Sequence, residues 1–257
     1  MTDDRRRTIE QIVSTKGETS LTELEEMFPA ISSMTLRRDL IYLEKMGIVR
    51  RTRGGAISVS RVNKPYEDTF SRRAQRDVVA KRAICRAALK LFVPDHTVFI
   101  DSGSTLMHFA QMLPDEASLI VTAGPNIALE LAGKSKADVL LLGGRLRRNT
   151  LSVSGHWAHD ALEQLNIDTA YMATSGFSMD TGFTSGSLEE CELKREVLSR
   201  AKTKVMLMDH TKYNRVLPFT FAQMRDIDCL ICDLDIGDDL RRLAEETNVK
   251  IITSGGE

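Results

Sequence analysis

Apolar residues in the first sixty positions recur at helical intervals and then at strand intervals, which predicts a small helical module followed by a ribbon. Ile9, Ile12 and Val13 predict a first helix, which Gly17 stops. Ser20-Leu-Thr-Glu23 reads as a capping box opening a second helix that buries Leu21, Leu24, Met27 and Phe28 and ends at Pro29. Ser32 is a good N-cap for a third helix over about 33–45, with Leu36, Leu40 and Leu43 as its apolar stripe and Gly47 as its stop. Residues 48–59 then read as two short strands around the basic turn at Gly54-Gly55, a wing behind a helix-turn-helix. A helix rich in Ala, Lys and Arg is predicted over about 72–91, ending before Pro94. From Thr97 onward, short apolar runs such as 98–100, 119–121, 139–142, 205–208 and 229–232 alternate with helical segments. That alternation predicts a mainly parallel, doubly wound sheet. The expected fold class is therefore α/β: a small N-terminal winged helix-turn-helix over 1–59, a linker over 60–74, and a larger α/β domain over 75–257.

The 257 residues are 42% hydrophobic and 28% charged, with a formal net charge of −1, which is ordinary for a two-domain globular chain. No apolar run approaches the ~20 residues of a membrane span, and the polar start Met-Thr-Asp-Asp-Arg-Arg-Arg does not read as a signal peptide. A cytoplasmic protein with no membrane partner is the expectation. Cys85, Cys191, Cys229 and Cys232 are too scattered for a disulfide framework. Cys229 and Cys232 lie in one apolar strand, where residues three apart face opposite ways, so they read as core rather than metal ligands. His156, His159 and Asp160 have metal-like spacing but no further ligand nearby, and also read as structural. Neither a metal nor a cofactor is expected.

The distribution of charge says more than its sum. From Thr35 to Lys64 there are eight Lys or Arg (Arg37, Arg38, Lys45, Arg50, Arg51, Arg53, Arg61, Lys64) against two acids, Asp39 and Glu44. A local excess of positive charge on a third helix and a wing is the footprint of a nucleic-acid face. The N-terminal residues of such a helix approach base edges; here these are Ser32, Ser33, Met34, Thr35, Arg37 and Arg38. Adjacent arginines point about 100° apart on a helix, so one can read a base while the other clamps a phosphate. Lys45, Arg50, Arg51 and Arg53 complete the expected DNA contacts. A solvated charged face is the bland alternative, and the coincidence of cap, arginine pair and basic wing weighs against it.

In doubly wound sheets, ligands sit beyond the carboxyl ends of the strands. The loops there carry Asp101-Ser-Gly-Ser-Thr105, then Thr122, then Gly143-Gly-Arg145, then 174–177, and Asp209-His-Thr-Lys212. Small hydroxylated residues and glycines ahead of helix N-termini present free N–H groups to an anion. Lys194 and Lys212 add cations, Asp101 and Asp209 suit sugar hydroxyls, and His210 stands at the edge. The expected ligand is a phosphorylated sugar or polyol, contacted by Asp101, Ser102, Gly103, Ser104, Thr105, Thr122, Gly143, Gly144, Arg145, Lys194, Asp209 and Lys212. Each loop alone is weak, because glycine and serine are ordinary turn residues.

The run Ser32-Ser-Met-Thr-Leu-Arg-Arg-Asp-Leu40, followed by Leu43-Glu-Lys-Met-Gly47 and Arg53-Gly-Gly-Ala56, resembles the DeoR family of bacterial regulators. Leu36 stands where that family commonly has Ile, and Arg53 where it has His. The second domain is similar to the family's sensor domain over about 75–235, through Asp101–Thr105, Gly143-Gly144 and Asp209–Lys212. The resemblance implies a DNA-binding regulator, by the family's habit a repressor, relieved by a phosphorylated sugar or sugar alcohol. Paired half-sites imply a homodimer or homotetramer. The sensor domain of this family also resembles ribose 5-phosphate isomerase, which makes an isomerase-like enzyme fused to a DNA-binding domain the alternative. Aligning Asp209–Lys212 on the isomerase's corresponding segment puts Lys194 at the catalytic glutamate, and no carboxylate falls in 173–177. The chain is therefore expected to keep a phosphate cradle without the general base, and to have no catalytic residue. An interaction module without any ligand is a third reading.

Overall fold

A computed structural model describes residues 2–46, 48–52, 54–58, 67–134, 136–234 and 237–254. The expected helix stop at Gly47, the wing residue Arg53 and the linker stretch 59–66 lie outside the described residues. The chain forms two compact units, Met1–Lys64 and Pro65–Glu257.

The first unit has helices Thr2–Lys16, Leu21–Met27 and Ser33–Lys45 and strands Glu18–Ser20, Val49–Thr52 and Gly55–Ser58. Ser20 and Glu23 form the capping box, with the Glu23 N–H donating to Ser20 Oγ at 3.0 Å and the Ser20 N–H to Glu23 Oε2 at 2.9 Å. Ile9, Val13, Leu24, Leu36, Leu40, Leu43, Val49 and Ala56 make the core. Fully burying one such aliphatic side chain contributes about 1.5–3 kcal/mol. Met27, expected in this core, is 44% exposed. The helix ends at Met27, and Phe28 packs against the core in its place. The short strand Glu18–Ser20 was not expected. It pairs with Gly55–Ser58, which makes the wing three-stranded. Gly55 is needed there, since a Cβ would lie 2.0 Å from the Thr19 carbonyl oxygen.

The second unit is built on a seven-stranded sheet in the order Lys250–Thr253, Cys229–Cys232, Ala201–Met208, Ile167–Ala173, Thr97–Ile100, Ser118–Thr122, Ala137–Leu141. Every pairing is parallel. Both faces are covered, so the strands alternate between two apolar layers rather than between core and water. Phe99, Ala170, Met172, Met206 and Met208 pack with helices His156–Glu163, Leu188–Arg200 and Asp238–Glu246. Val98, Ile100, Tyr171, Val205 and Leu207 pack on the other face with helices Val78–Leu89, Ser104–Met112 and Pro125–Leu131. Cys85, Cys191, Cys229 and Cys232 are free and buried.

Two features depart from the sequence reading. The helix expected over 72–91 is two helices, Phe70–Ala74 and Val78–Leu89, broken where Asp77 takes φ 51°. The buried Lys81 ammonium holds the break by donating to the carbonyls of Arg73 and Arg76. The other is a set of short antiparallel strands: a hairpin Arg145–Arg147 with Ser152–Ser154, and a three-stranded patch of Gly176–Ser178, Gly182–Ser185 and Phe219–Ala222.

Candidate functional site

The first unit presents the third helix outward. Ser32 caps it, its hydroxyl accepting from the Thr35 N–H at 3.3 Å and lying 3.0 Å from the Thr35 hydroxyl. Leu36, Leu40 and Leu43 turn inward, which leaves Ser33, Met34, Arg37, Arg38 and Lys45 exposed. Among the described residues, neither Arg37 nor Arg38 has an ion-pair partner. Asp39, next to them, is buried and receives Arg5 Nε at 2.6 Å and Arg6 Nε at 2.8 Å. The Arg6 guanidinium also lies 3.9 Å from the centre of the Tyr42 ring. This clamp ties the third helix to the first. Sequence reasoning missed it, because the partners are more than thirty positions apart. Arg50 is half-buried. Arg51 is committed to Glu44, through its side chain at 2.6 Å and its backbone N–H at 2.8 Å, so it braces the wing against the helix.

In the second unit, the strand order reverses between Thr97–Ile100 and Ile167–Ala173. The chain leaves the first toward Ser118–Thr122 and reaches the second only later. A cleft of roughly 420 Å³, measured out to its open mouth, lies where the loops after these two strands diverge. This is where ligands settle in doubly wound sheets. One wall is Ser102, Gly103, Ser104 and Thr105, at the N-terminus of the helix Ser104–Met112. Gly103 adopts φ +118°, and no side chain caps the helix, so the positive end of its dipole opens on the cleft. Ala173, Thr174 and Ser175 form the facing wall, and Lys194 and Lys212 supply the expected cations.

Lys194 is buried and donates to Asp101 and, at 2.8 Å, to the Ala173 carbonyl. Burial works to lower its pKa, but Asp101, with Glu190 and Glu67, raises it above the ordinary lysine value. Asp101 stands behind the wall rather than in the cleft. Its oxygens accept from Ser102 N at 2.8 Å and Ala173 N at 3.1 Å as well as from Lys194. Asp209 is also buried, accepting from Thr211 N at 3.0 Å and lying 3.5 Å from Lys212 Nζ. Burial works to raise the Asp209 carboxyl, and Lys212 and Thr211 hold it below the usual range. Lys81 comes close enough to feel Asp209, and burial pushes its pKa down to about 8.

The other expected contacts stand away from the cleft. The buried Thr122 hydroxyl accepts from Gly124 N at 3.0 Å and shapes its own turn. Gly144, at φ +136°, passes so close to the hairpin that a Cβ would lie 2.5 Å from Ser154 O. Gly143 and the exposed Arg145 lead into that hairpin. His210 pairs with Asp233 at 2.6 Å. His159 pairs with Glu196, and no metal-ligand cluster forms among the described residues.

Glu67, Arg73, Thr150, Ser185 and Glu190 also line the cleft and were missed. Glu190 accepts from Thr150 Oγ1 at 2.7 Å, from Ser185 Oγ at 3.0 Å and from Ser152. Its signal was available, since Glu190 and Lys194 are four apart on one helix and share a face. Glu67 and Arg73 carry no such signal.

A family model described as the DeoR-like helix-turn-helix domain matches residues 5–62, and one described as the DeoR C terminal sensor domain matches residues 76–234. The chain is 30% identical to the HTH-type transcriptional regulator GlpR of Haloferax volcanii, over 97% of this chain and 96% of that one. It is 28% identical to the HTH-type transcriptional regulator GolR of Listeria innocua, over 96% and 97%. Among solved structures, ribose 5-phosphate isomerase A of Methanocaldococcus jannaschii overlaps 52% of this chain and 53% of its own, at 14% identity and a TM-score of 0.38. No helix among the described residues is long and apolar enough to cross a membrane.

Proposed function

This chain belongs to the DeoR family of transcriptional regulators, and on that premise we propose that it represses a carbohydrate or polyol catabolic operon until a phosphorylated sugar or sugar alcohol fills its cleft. The observation that carries the effector reading is the cleft at the sheet's reversal point. There an uncapped helix N-terminus and Lys212 flank one small space. A phosphate suits both, because N–H groups and an ammonium can bind its oxygens together. The hydroxylated wall of Thr150, Thr174, Ser175 and Ser185 suits the hydroxyls of a polyol.

Operator DNA is bound by the exposed face of the helix Ser33–Lys45, with Arg37 and Arg38 foremost and Ser33, Met34 and Lys45 beside them. The protein acts in the cytoplasm as a homodimer or homotetramer, because paired half-sites call for paired recognition helices. The reading is regulatory, not catalytic. Of the cleft carboxylates, Glu190 accepts three hydroxyl hydrogen bonds and Glu67 accepts from Ser185 and the Gly186 N–H beside Arg73, while Lys194 is engaged by Asp101, so none is poised to move a substrate proton. Pentose phosphates incubated with the purified protein should remain unisomerised. Turnover that disappears in a Lys194→Ala protein still folded by circular dichroism would reinstate the enzyme. The effector reading is tested by thermal denaturation with a panel of sugar and polyol phosphates. A true effector at a hundred times its dissociation constant adds about 2.7 kcal/mol. A panel without any shift would remove the reading.

A further inference from the structure

Arg73 reaches the cleft from the segment that follows the first unit, and its guanidinium is only partly engaged. Its Nε donates to the Asp68 carbonyl at 3.1 Å, and one terminal nitrogen lies 3.4 Å from Glu67 Oε2. The other terminal nitrogen, Nη2, is buried and has no hydrogen-bond partner among the described residues. The nitrogen that faces Glu67, Nη1, also lies beside the helix N-terminus, 4.0 Å from where a Gly103 Cβ would be. An arginine fork forms its strongest bonds to an anion that takes two N–H groups at once. The Glu67 carboxylate gives it one long contact instead.

Glu67 is held from its other side. Its Oε1 accepts from Ser185 Oγ at 3.1 Å and from the Gly186 N–H at 3.1 Å. Gly186 has no side chain to spare there, since a Cβ would lie 3.3 Å from Glu67 Cγ. Burial works to raise the Glu67 carboxyl, while Arg73, the Gly186 N–H and Lys194 hold it below the ordinary carboxylate range.

We propose that Arg73 is an anion-binding arm of the cleft which the protein occupies with its own Glu67, so that the phosphate group of an effector competes with the Glu67 carboxylate. The proposal rests on the reading of the cleft as an effector site and adds two residues to it. A phosphate at the helix N-terminus meets Arg73 at Nη1, the nitrogen that Glu67 now faces. Two like charges then share one buried guanidinium, which disfavours the weaker contact. Glu67 yields, and its bonds to Ser185 and Gly186 open. Glu67 stands three residues beyond Lys64, the end of the first unit. Occupancy of the cleft is thereby felt on the chain segment that leads to the DNA-binding unit.

The test is calorimetric titration of the full-length protein with inorganic phosphate, paired with hydrogen exchange at the Gly186 amide. Glu67→Gln should bind phosphate about tenfold more tightly than wild type, because one like charge has been removed. Arg73→Gln should bind about tenfold more weakly, and Arg73→Lys, which keeps the charge and most of the packing, should fall between. Phosphate should speed exchange at Gly186 in the wild type. Equal affinities across these proteins, or an unchanged Gly186 amide on phosphate binding, overturn the competition and leave the effector cleft standing. Wild type that binds neither phosphate nor any sugar phosphate defeats both readings.

Discussion

The two units handle charge in opposite ways. In the first, Arg37 and Arg38 project from an exposed helix face, and the buried carboxylate Asp39 is answered by two arginines that fix the helix in place. In the second, Asp101 and Lys194 are drawn inside as a pair, Glu190 meets a ring of hydroxyls, and Asp209 is held by Thr211 and Lys212. The first arrangement leaves cations ready for an extended polyanion in water. The second is a small, pre-arranged site, suited to choosing one small anion. Removing an exposed cation should therefore cost binding and little stability, and removing a buried one should cost both.

The largest effect is expected at Lys194. Lys194→Ala leaves Asp101 buried without its cation, and loss of one partner from a buried pair costs about 3–5 kcal/mol. Urea denaturation should show that loss in the second unit. Replacing both partners together, as Asp101→Asn with Lys194→Met, should restore much of it. A single Lys194→Ala within 1 kcal/mol of wild type would mean the pair is not the keystone described.

Next come Arg37→Ala and Arg38→Ala. A side chain that reads a base should contribute about 1–3 kcal/mol of specific operator binding, while stability stays within about 0.5 kcal/mol. Arg51→Ala should instead loosen the wing, because Arg51 is bonded to Glu44. Anisotropy titrations at fixed salt separate these cases. Unchanged affinity in both Arg37→Ala and Arg38→Ala would remove the proposed recognition face.

The smallest effect concerns pH. The hydrogen bond to Asp233 raises the His210 pKa above its ordinary value, outweighing partial burial. The folded state therefore holds this proton more tightly than the unfolded chain. The stabilisation is complete below the unfolded value of about 6.5 and is lost as pH rises through the folded pKa. Half-exposure keeps the contribution small. His210→Gln should flatten the stability profile as pH rises from about 6.5 through the folded pKa, and an unchanged profile there would show that the pair carries no linkage.

The contrast between the units also explains what the sequence could reveal. The helices and wing of the first unit rest on local signals, such as the Ser20–Glu23 box, the Ser32 cap and a leucine stripe. The parallel sheet was legible because its strands are short apolar runs separated by helices. The short antiparallel strands were not, since pieces such as Arg145–Arg147 and Ser152–Ser154 carry no alternating apolar pattern. In the cleft, Ser102–Thr105, Lys194 and Lys212 were found because glycines, hydroxyls and cations follow strand ends. Glu67 and Arg73 were invisible, as their partners are set by a fold that brings Glu67 against Ser185, over a hundred positions away. Thr122, Gly143 and Gly144 had the right composition, but their loops serve turns and a close backbone approach.

The central claim is that the second unit senses an anion and thereby governs DNA binding by the first. Its most direct test is operator affinity of the full-length protein, titrated with sugar and polyol phosphates, each beside its dephosphorylated form. One phosphorylated compound should weaken operator binding by roughly 5–150-fold, corresponding to a coupling of about 1–3 kcal/mol. Its dephosphorylated form should have no effect, and Lys212→Ala should abolish the response while still binding DNA. Operator affinity indifferent to every phosphorylated compound, or loss of DNA binding in a folded Lys212→Ala protein, would contradict the account.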